Sequence, residues 1–434
     1  MRKSLVRLLI ASALILPAPL FAQAGPVPIS LDDAVRQAHA NSPLMVQAVG
    51  QSRVADAQYK ARLAAFLPSL QVGQGTSHNI GQVYVQGVLL SSGGGWSSNQ
   101  YYYSGLTIFN GGQNVLDYRA AKASLDAADQ SQVIQSFTLS LNVKQQYFAV
   151  LAYREAVAAA EQSLKEAEEQ MAVTEARVAG GALSRADSLT SAVAVGQARV
   201  NLVTQQGNLA TANATLTRLV GSTREVTATA ADTALVPTIS LDTTALISLA
   251  LEGPSVQAAE HQVDANHSTW WAAIASYLPT LTMGYSSGSG WQNQHFVLGG
   301  GTKSNNTALS LNLSWGLFDG LQRESRVVQA DVNSDNAVAS LRDARLGARE
   351  SIAQWLAQFR AAETRIALQT VAIESGEESV AAKDAQYRAG AVALVDVLQS
   401  QSVLAAARQG LIQARLDART AKAQIEAVIG KQIN

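Results

Sequence analysis

The chain contains no cysteine, so neither a disulfide framework nor a redox or thiolate-metal site is available to it. It is poor in charge: 15% of residues are Asp, Glu, Lys or Arg, and 32 basic residues stand against 33 acidic ones. A broad nucleic-acid-binding surface needs a basic excess, and this chain has none. Aromatics make up 6% and the five histidines are scattered. His261 and His267, six apart, fall on poorly aligned helix faces, and His39, His78 and His295 have no evident partner, so no metal site is expected. No nucleotide loop or nucleophile elbow occurs either. No cofactor and no enzymatic activity are expected.

Long apolar runs are also missing. Residues 1–24 have a leader's pattern: Arg2 and Lys3, an apolar stretch from Leu8 to Leu16, and the small-residue site Ala22-Gln23-Ala24. That stretch is too short to span a bilayer, and no later segment reaches 18 consecutive apolar residues. Loss of Arg2, Lys3 and Arg7 with the leader leaves 29 basic against 33 acidic residues, a net charge of about −4. No cysteine at the cleavage site is available to carry a lipid. A mature chain that enters a membrane must therefore do so as strands.

What is present is a duplication. Ser30-Leu-Asp-Asp-Ala34 matches Ser240-Leu-Asp-Thr-Thr244, and Phe66-Leu-Pro-Ser-Leu70 matches Tyr277-Leu-Pro-Thr-Leu281. Phe109-Asn-Gly111 matches Phe318-Asp-Gly320, and the correspondence continues through Val220-Gly221 and Ile429-Gly430. Two equivalent halves follow, 25–221 and 240–434, joined by a connector at 222–239. In the first half the pattern predicts helices over 31–66, strands over 69–109, a long helix over 111–179 and a helix over 184–220. In the second it predicts helices over 241–277, strands over 280–318, a long helix over 320–388 and a helix over 393–429. Ser30 caps the first helix, Pro43 starts the next, and Pro68 and Pro279 stop the helices that precede the strands. Asn110 and Asp319 cap the long helices.

The sharpest strand signal places Leu309, Leu311, Leu313, Trp315 and Leu317 on one face and Ser310, Asn312, Ser314 and Gly316 on the other. Such alternation, with small uncharged residues opposite an apolar row, suits a strand between lipid and a barrel lumen. The Gly/Ser/Asn-rich stretches 75–100 and 286–306 read as long hairpin loops.

A seven-residue apolar repeat runs through Ile352, Phe359, Ile366, Ile373, Val380 and Tyr387. Its counterpart in the first half is Val143, Val150, Val157, Leu164, Met171 and Val178. The following helices repeat through Leu404, Leu411, Ala418 and Ile425, and through Val195, Leu202, Leu209 and Leu216. A sustained heptad specifies left-handed coiled-coil packing. It stops one heptad earlier, at Arg345 and Ser136, so the coil is confined to the end leading into two turns, Val178–Asp187 and Tyr387–Asp396. Each turn has a glycine, Gly181 or Gly390, six residues before an aspartate. Four strands cannot close a membrane barrel, and an open edge in lipid costs several kcal/mol per unsatisfied group. Two, three or four pooled copies would give 8, 12 or 16 strands. The rival is a secreted periplasmic coiled-coil scaffold or adaptor that never enters lipid, which explains the helices alone.

The ordered set of Leu-Pro-Ser/Thr junctions, Phe-Asn/Asp-Gly junctions and Gly…Asp turns, found twice, resembles the TolC family of bacterial outer-membrane efflux proteins across essentially the whole mature chain. The resemblance implies a mixed α and β membrane protein: a homotrimer with a 12-stranded outer-membrane β-barrel, four strands per chain, continued across the periplasm by a long α-helical coiled-coil barrel. It implies an exit duct that passively exports substrates delivered by an inner-membrane efflux pump or ABC exporter through a periplasmic adaptor (membrane fusion) protein, in drug or metal efflux or in type I secretion. It also implies roles for residues. Asp396 matches an aspartate lining the periplasmic constriction, while the family's second aspartate is Gln399 here. Asp396 then either rings the pore or only caps its helix, as its counterpart Asp187 also could. Tyr387 matches a tyrosine that latches neighbouring coils, or it serves as the last member of the heptad. The family's latch arginine is Val392 here, with Arg388 or Arg185 as substitutes. The turns around Gly181 and Gly390, with Arg177 and Arg388, would contact the adaptor.

Overall fold

A computed structural model describes residues 25–229, 239–240, 242–293, 296 and 302–433. The leader, residues 230–238 of the connector and Gly299–Gly301 lie outside the described residues. The first half comprises β1 (Val27–Ile29), α1 (Leu31–Asn41), α2 (Pro43–Ala64), β2 (Ser69–Val85), β3 (Val88–Asn110), α3 (Gln113–Ala179) and α4 (Arg185–Val220). After β4 (Val226–Ala228) the second half repeats this order as α5 (Thr243–Leu251), α6 (Pro254–Ala275), β5 (Thr280–Asn293), β6 (Thr302–Ser314), α7 (Gln322–Arg388) and α8 (Leu394–Ile429).

Local chemistry sets the helix ends as the sequence predicts. Ser30 Oγ accepts from the Asp33 N–H at 3.2 Å, and Ser42 precedes Pro43 at the first turn of α2. The two long helices each have 67 residues, about 100 Å at 1.5 Å per residue. Their caps differ from expectation. The N-cap positions are Gly112 and Leu321, both left-handed, without a side-chain bond at either. Asn110 and Asp319 instead act from two residues further back, Asn110 Oδ1 accepting from Asn114 N–H at 3.3 Å and Asp319 Oδ1 from Arg323 N–H at 3.5 Å. The junction turns left-handed first, at Gly111 and Gly320. A Cβ on Gly111 would lie 2.4 Å from the Ala275 carbonyl oxygen, so glycine is needed there for space as well as for conformation.

The four long strands form one antiparallel sheet in the order β2-β3-β5-β6. The two hairpins join through β3 and β5, paired from Trp96 opposite Asn293 to Asn110 opposite Thr280 with a bulge between Thr107 and Phe109. The loop expected over 75–100 is not a loop. β2 and β3 run through it and reverse at Gln86-Gly87, both at positive φ, the two-residue turn that right-twisted hairpins favour. Glycine and serine read as turn formers, but pairing to a neighbour keeps their backbone extended. β6 ends at Ser314, so Trp315 and Leu317 lie beyond the strand they were assigned to. Trp315 Nε1–H instead donates to the Tyr277 carbonyl at 3.0 Å, tying the strand's exit to the end of α6.

Every heptad residue named above is buried or half-buried. One core joins α1, α3 and α4 around the fully buried Tyr147, Leu151 and Leu216, and a second joins α5, α7 and α8 around Leu246, Ile352 and Ile425. The N-terminal strand was not expected. β1 pairs in parallel with β4. Tyr147 fixes this pair, its hydroxyl donating to the Ile29 carbonyl at 3.0 Å and accepting from Thr229 N–H at 3.1 Å. Across the halves, Lys144 Nζ meets Glu426 Oε2 at 2.5 Å with both side chains largely buried. Removing one partner of such a pair leaves a buried charge uncompensated.

Candidate functional site

The duplication puts the ends of α3 and α7 at one level, and the two turns pack together there. Tyr387, Leu394 and Val397 form a buried cluster with Val173, Leu183, Val392 and Leu398 against it. Each turn closes in the same way. Gly181 and Gly390 adopt φ of +75° and +80°. The next N–H bonds back across the turn, from Ala182 to Arg177 O at 2.9 Å and from Ala391 to Gln386 O at 2.8 Å. These bonds satisfy carbonyls that a helix end leaves open, and glycine is the residue that takes the left-handed position without a Cβ clash.

The aspartates cap. Ser184 and Asp187 exchange bonds reciprocally, Asp187 N–H to Ser184 Oγ at 3.3 Å and Ser184 N–H to Asp187 Oδ2 at 3.1 Å. Asp396 Oδ2 accepts from Ala393 N–H at 3.2 Å, and since Ala393 has no side-chain oxygen only this half of the exchange exists. Asp396 and Gln399 are both exposed in the protomer, and Asp187 is half-buried. Capping uses one carboxylate oxygen of Asp396, so its exposed charge remains available to a pore.

Tyr387 is 1% exposed, and its partners lie on α3. Thr174 Oγ1 already donates to the Gln170 carbonyl at 2.9 Å, so in its 3.1 Å contact with Tyr387 the phenol is the donor. The Arg177 guanidinium lies 4.7 Å from the Tyr387 ring centroid and donates to the Tyr387 carbonyl oxygen. Arg177, assigned from the sequence to adaptor contact, is thus the basic partner of Tyr387. Arg388 is engaged elsewhere, in a 2.8 Å pair with Asp384 on its own helix, and Arg185 is exposed at the first position of α4. Val392 belongs to the apolar cluster. The sequence held one clue: Arg177 precedes Val178, the repeat counterpart of Tyr387. One level further from the turns, Arg408 bridges Glu166 of α3 and Glu377 of α7 at 3.2 and 3.1 Å, tying three helices together.

At the other end of the molecule Leu309, Leu311 and Leu313 project from β6 with 72%, 64% and 71% of their surface exposed. Such a row on an edge strand leaves both its side chains and its outer backbone groups in need of a non-aqueous or strand partner.

The sequence profile of the family described as outer membrane efflux protein matches residues 34–222 and 246–431. The pyoverdine export outer membrane protein OpmQ of Pseudomonas aeruginosa is 26% identical over 422 residues, spanning 92% of this chain and 83% of that protein. Among solved structures, a CusC channel superposes with a TM-score of 0.81 at 19% identity, covering 95% of this chain and 96% of its own. The outer membrane protein VceC of Vibrio cholerae superposes at 0.78 and 17% identity, covering 93% and 97%. These likenesses establish the fold.

Proposed function

The chain belongs to the outer membrane efflux protein family, and from that premise we propose that it is the exit duct of a tripartite efflux or type I secretion system. It resides in the outer membrane and extends into the periplasm. The observation that carries the duct reading is the open four-stranded sheet, with β2 and β6 as free edges and an apolar row on β6. An unpaired edge in lipid is costly. Three copies joined β6 to β2 close a barrel of twelve strands, and the helices continue the same ring into the periplasm. Cargo delivered by an inner-membrane pump through a periplasmic adaptor then leaves without further chemistry.

At the periplasmic end the paired turns form the gate. Three Tyr387–Thr174–Arg177 contacts hold the second-half coil of each chain to its first half. Three Asp396 carboxylates line the constriction, with Gln399 uncharged behind them, and Gly181 and Gly390 shape the turns that meet the adaptor. A ring of carboxylates in a narrow pore favours cations. Asp396→Ala is therefore expected to lower cation selectivity in planar bilayers under a salt gradient and to weaken block by multivalent cations. Currents and reversal potentials equal to wild type would rule out the ring. The duct itself is tested by fractionation: the protein should extract with outer membranes as a trimer, and a freely soluble periplasmic monomer would overturn the reading.

A further inference from the structure

Of all residues in the four long strands, Lys303 alone carries a formal charge. The register shows which face it occupies. Lys303 alternates in phase with Leu309, Leu311 and Leu313, and pairs with Trp291 across the β5–β6 ladder. Its ammonium lies 5.7 Å from the Trp291 ring centroid. It therefore points outward, to the membrane side of the barrel, and not into the lumen.

Its height follows from geometry. A strand rises about 3.4 Å per residue, and at a tilt near 40° that is about 2.6 Å along the barrel axis. Lys303 is ten residues from Leu313, about 26 Å higher, against an apolar band of about 25 Å. The outward face changes character at this height. Gln74, Gln100, Ser289 and Asn305 form one outward row, with Ser289 Oγ–H donating to Asn305 at 2.9 Å. One row up are Trp291 with Lys303, level with Thr76 and Ser98, and one row above that the rings of His78 and Trp96 stack at 4.6 Å with Phe296 against Trp96. Amide and hydroxyl groups, flat aromatic faces and a single cation together suit a phosphorylated sugar better than acyl chains.

We propose that this outward patch binds the phosphorylated headgroup of a glycolipid in the outer leaflet, with Lys303 on the phosphate and the Trp291 face and the row below it on the sugar. The proposal rests on the outer-membrane barrel reading. A lysine at a charged membrane surface is worth about 1 kcal/mol, or about five-fold in affinity.

The test uses the full chain purified from outer membranes in mild detergent and placed in phosphatidylcholine nanodiscs. The discs are doped with a phosphorylated glucosamine-based glycolipid or with its dephosphorylated form, and bound lipid is counted by native mass spectrometry. Wild type is expected to retain the phosphorylated form about five-fold better than Lys303→Ala. Lys303→Arg should retain it, and added inorganic phosphate should not displace it. Equal retention by wild type and Lys303→Ala, equal retention of both lipid forms, or displacement by phosphate alone would overturn the proposal. Trp291→Leu, which keeps the charge, provides a second variant and should lose retention of both lipid forms; retention equal to wild type would overturn the aromatic part of the site. A wild-type protein that forms conducting trimers yet shows no lipid preference refutes the patch and leaves the duct intact, whereas absence from the membrane refutes the duct.

Discussion

Removing the Arg177 side chain should loosen the proposed periplasmic gate more than removing the Tyr387 hydroxyl, and the structure sets the ratio. Tyr387→Phe deletes one neutral hydrogen bond, the phenol's donation to Thr174 at 3.1 Å, worth about 1 kcal/mol. Thr174 keeps its bond to the Gln170 carbonyl, so no buried donor is orphaned. Arg177→Ala deletes a charged bond to the Tyr387 carbonyl and the cation–ring contact, about 1.5–3 and 0.5–1 kcal/mol respectively. Arg177 is only half-buried, and the carbonyl keeps Gly390 N–H at 2.9 Å. A net loss of about 2 kcal/mol per chain is therefore the working figure. That is about 30-fold in the open-to-closed ratio per chain, against about five-fold for Tyr387→Phe. Phenylalanine retains the ring and carbonyl that Arg177 uses, so the double variant should be additive within about 0.5 kcal/mol. Open probability of reconstituted single channels measures all three. Wild-type gating in a folded Arg177→Ala trimer, or a larger effect from Tyr387→Phe, would refute the reasoning.

The two faces of β6 predict opposite outcomes for neighbouring residues. Leu311→Arg should cost about 2–4 kcal/mol and deplete the folded trimer in outer-membrane extracts, while Asn312→Arg should assemble and change conductance; equal yields would mean the faces are misassigned. A pH effect is expected in the α1–α3 contact. Burial holds His39, whose Nε2 lies 2.8 Å from Ser140 Oγ, below the usual histidine range. The unfolded chain then takes up a proton near pH 6.5 before the folded one does, so stability is retained above that pH and declines below it. His39→Gln should flatten the decline in Tm between pH 7 and 5, and parallel curves for the two proteins would exclude His39 as its source.

The amino-acid sequence by itself determined what depends on a few neighbouring residues. The proline stops after α2 and α6, the Ser30 and Ser184 caps, the left-handed glycines of the two turns and the heptad faces all appear where local chemistry puts them. The duplication added equivalence of the halves, and hence the common level of Tyr387 and Val178. Tertiary structure decided the rest. The stretch 75–100 has the composition of a loop and becomes strand because neighbouring strands supply its hydrogen bonds. Leu321 accepts a left-handed backbone that leucine disfavours, in a junction whose first-half counterpart is Gly112. Arg177 and Tyr387 are 210 residues apart, and only the repeat, which sets Arg177 beside the counterpart of Tyr387, hints that they are partners. Their pairing exists only because two long helices end side by side, which is a property of packing between the halves and not of either segment alone.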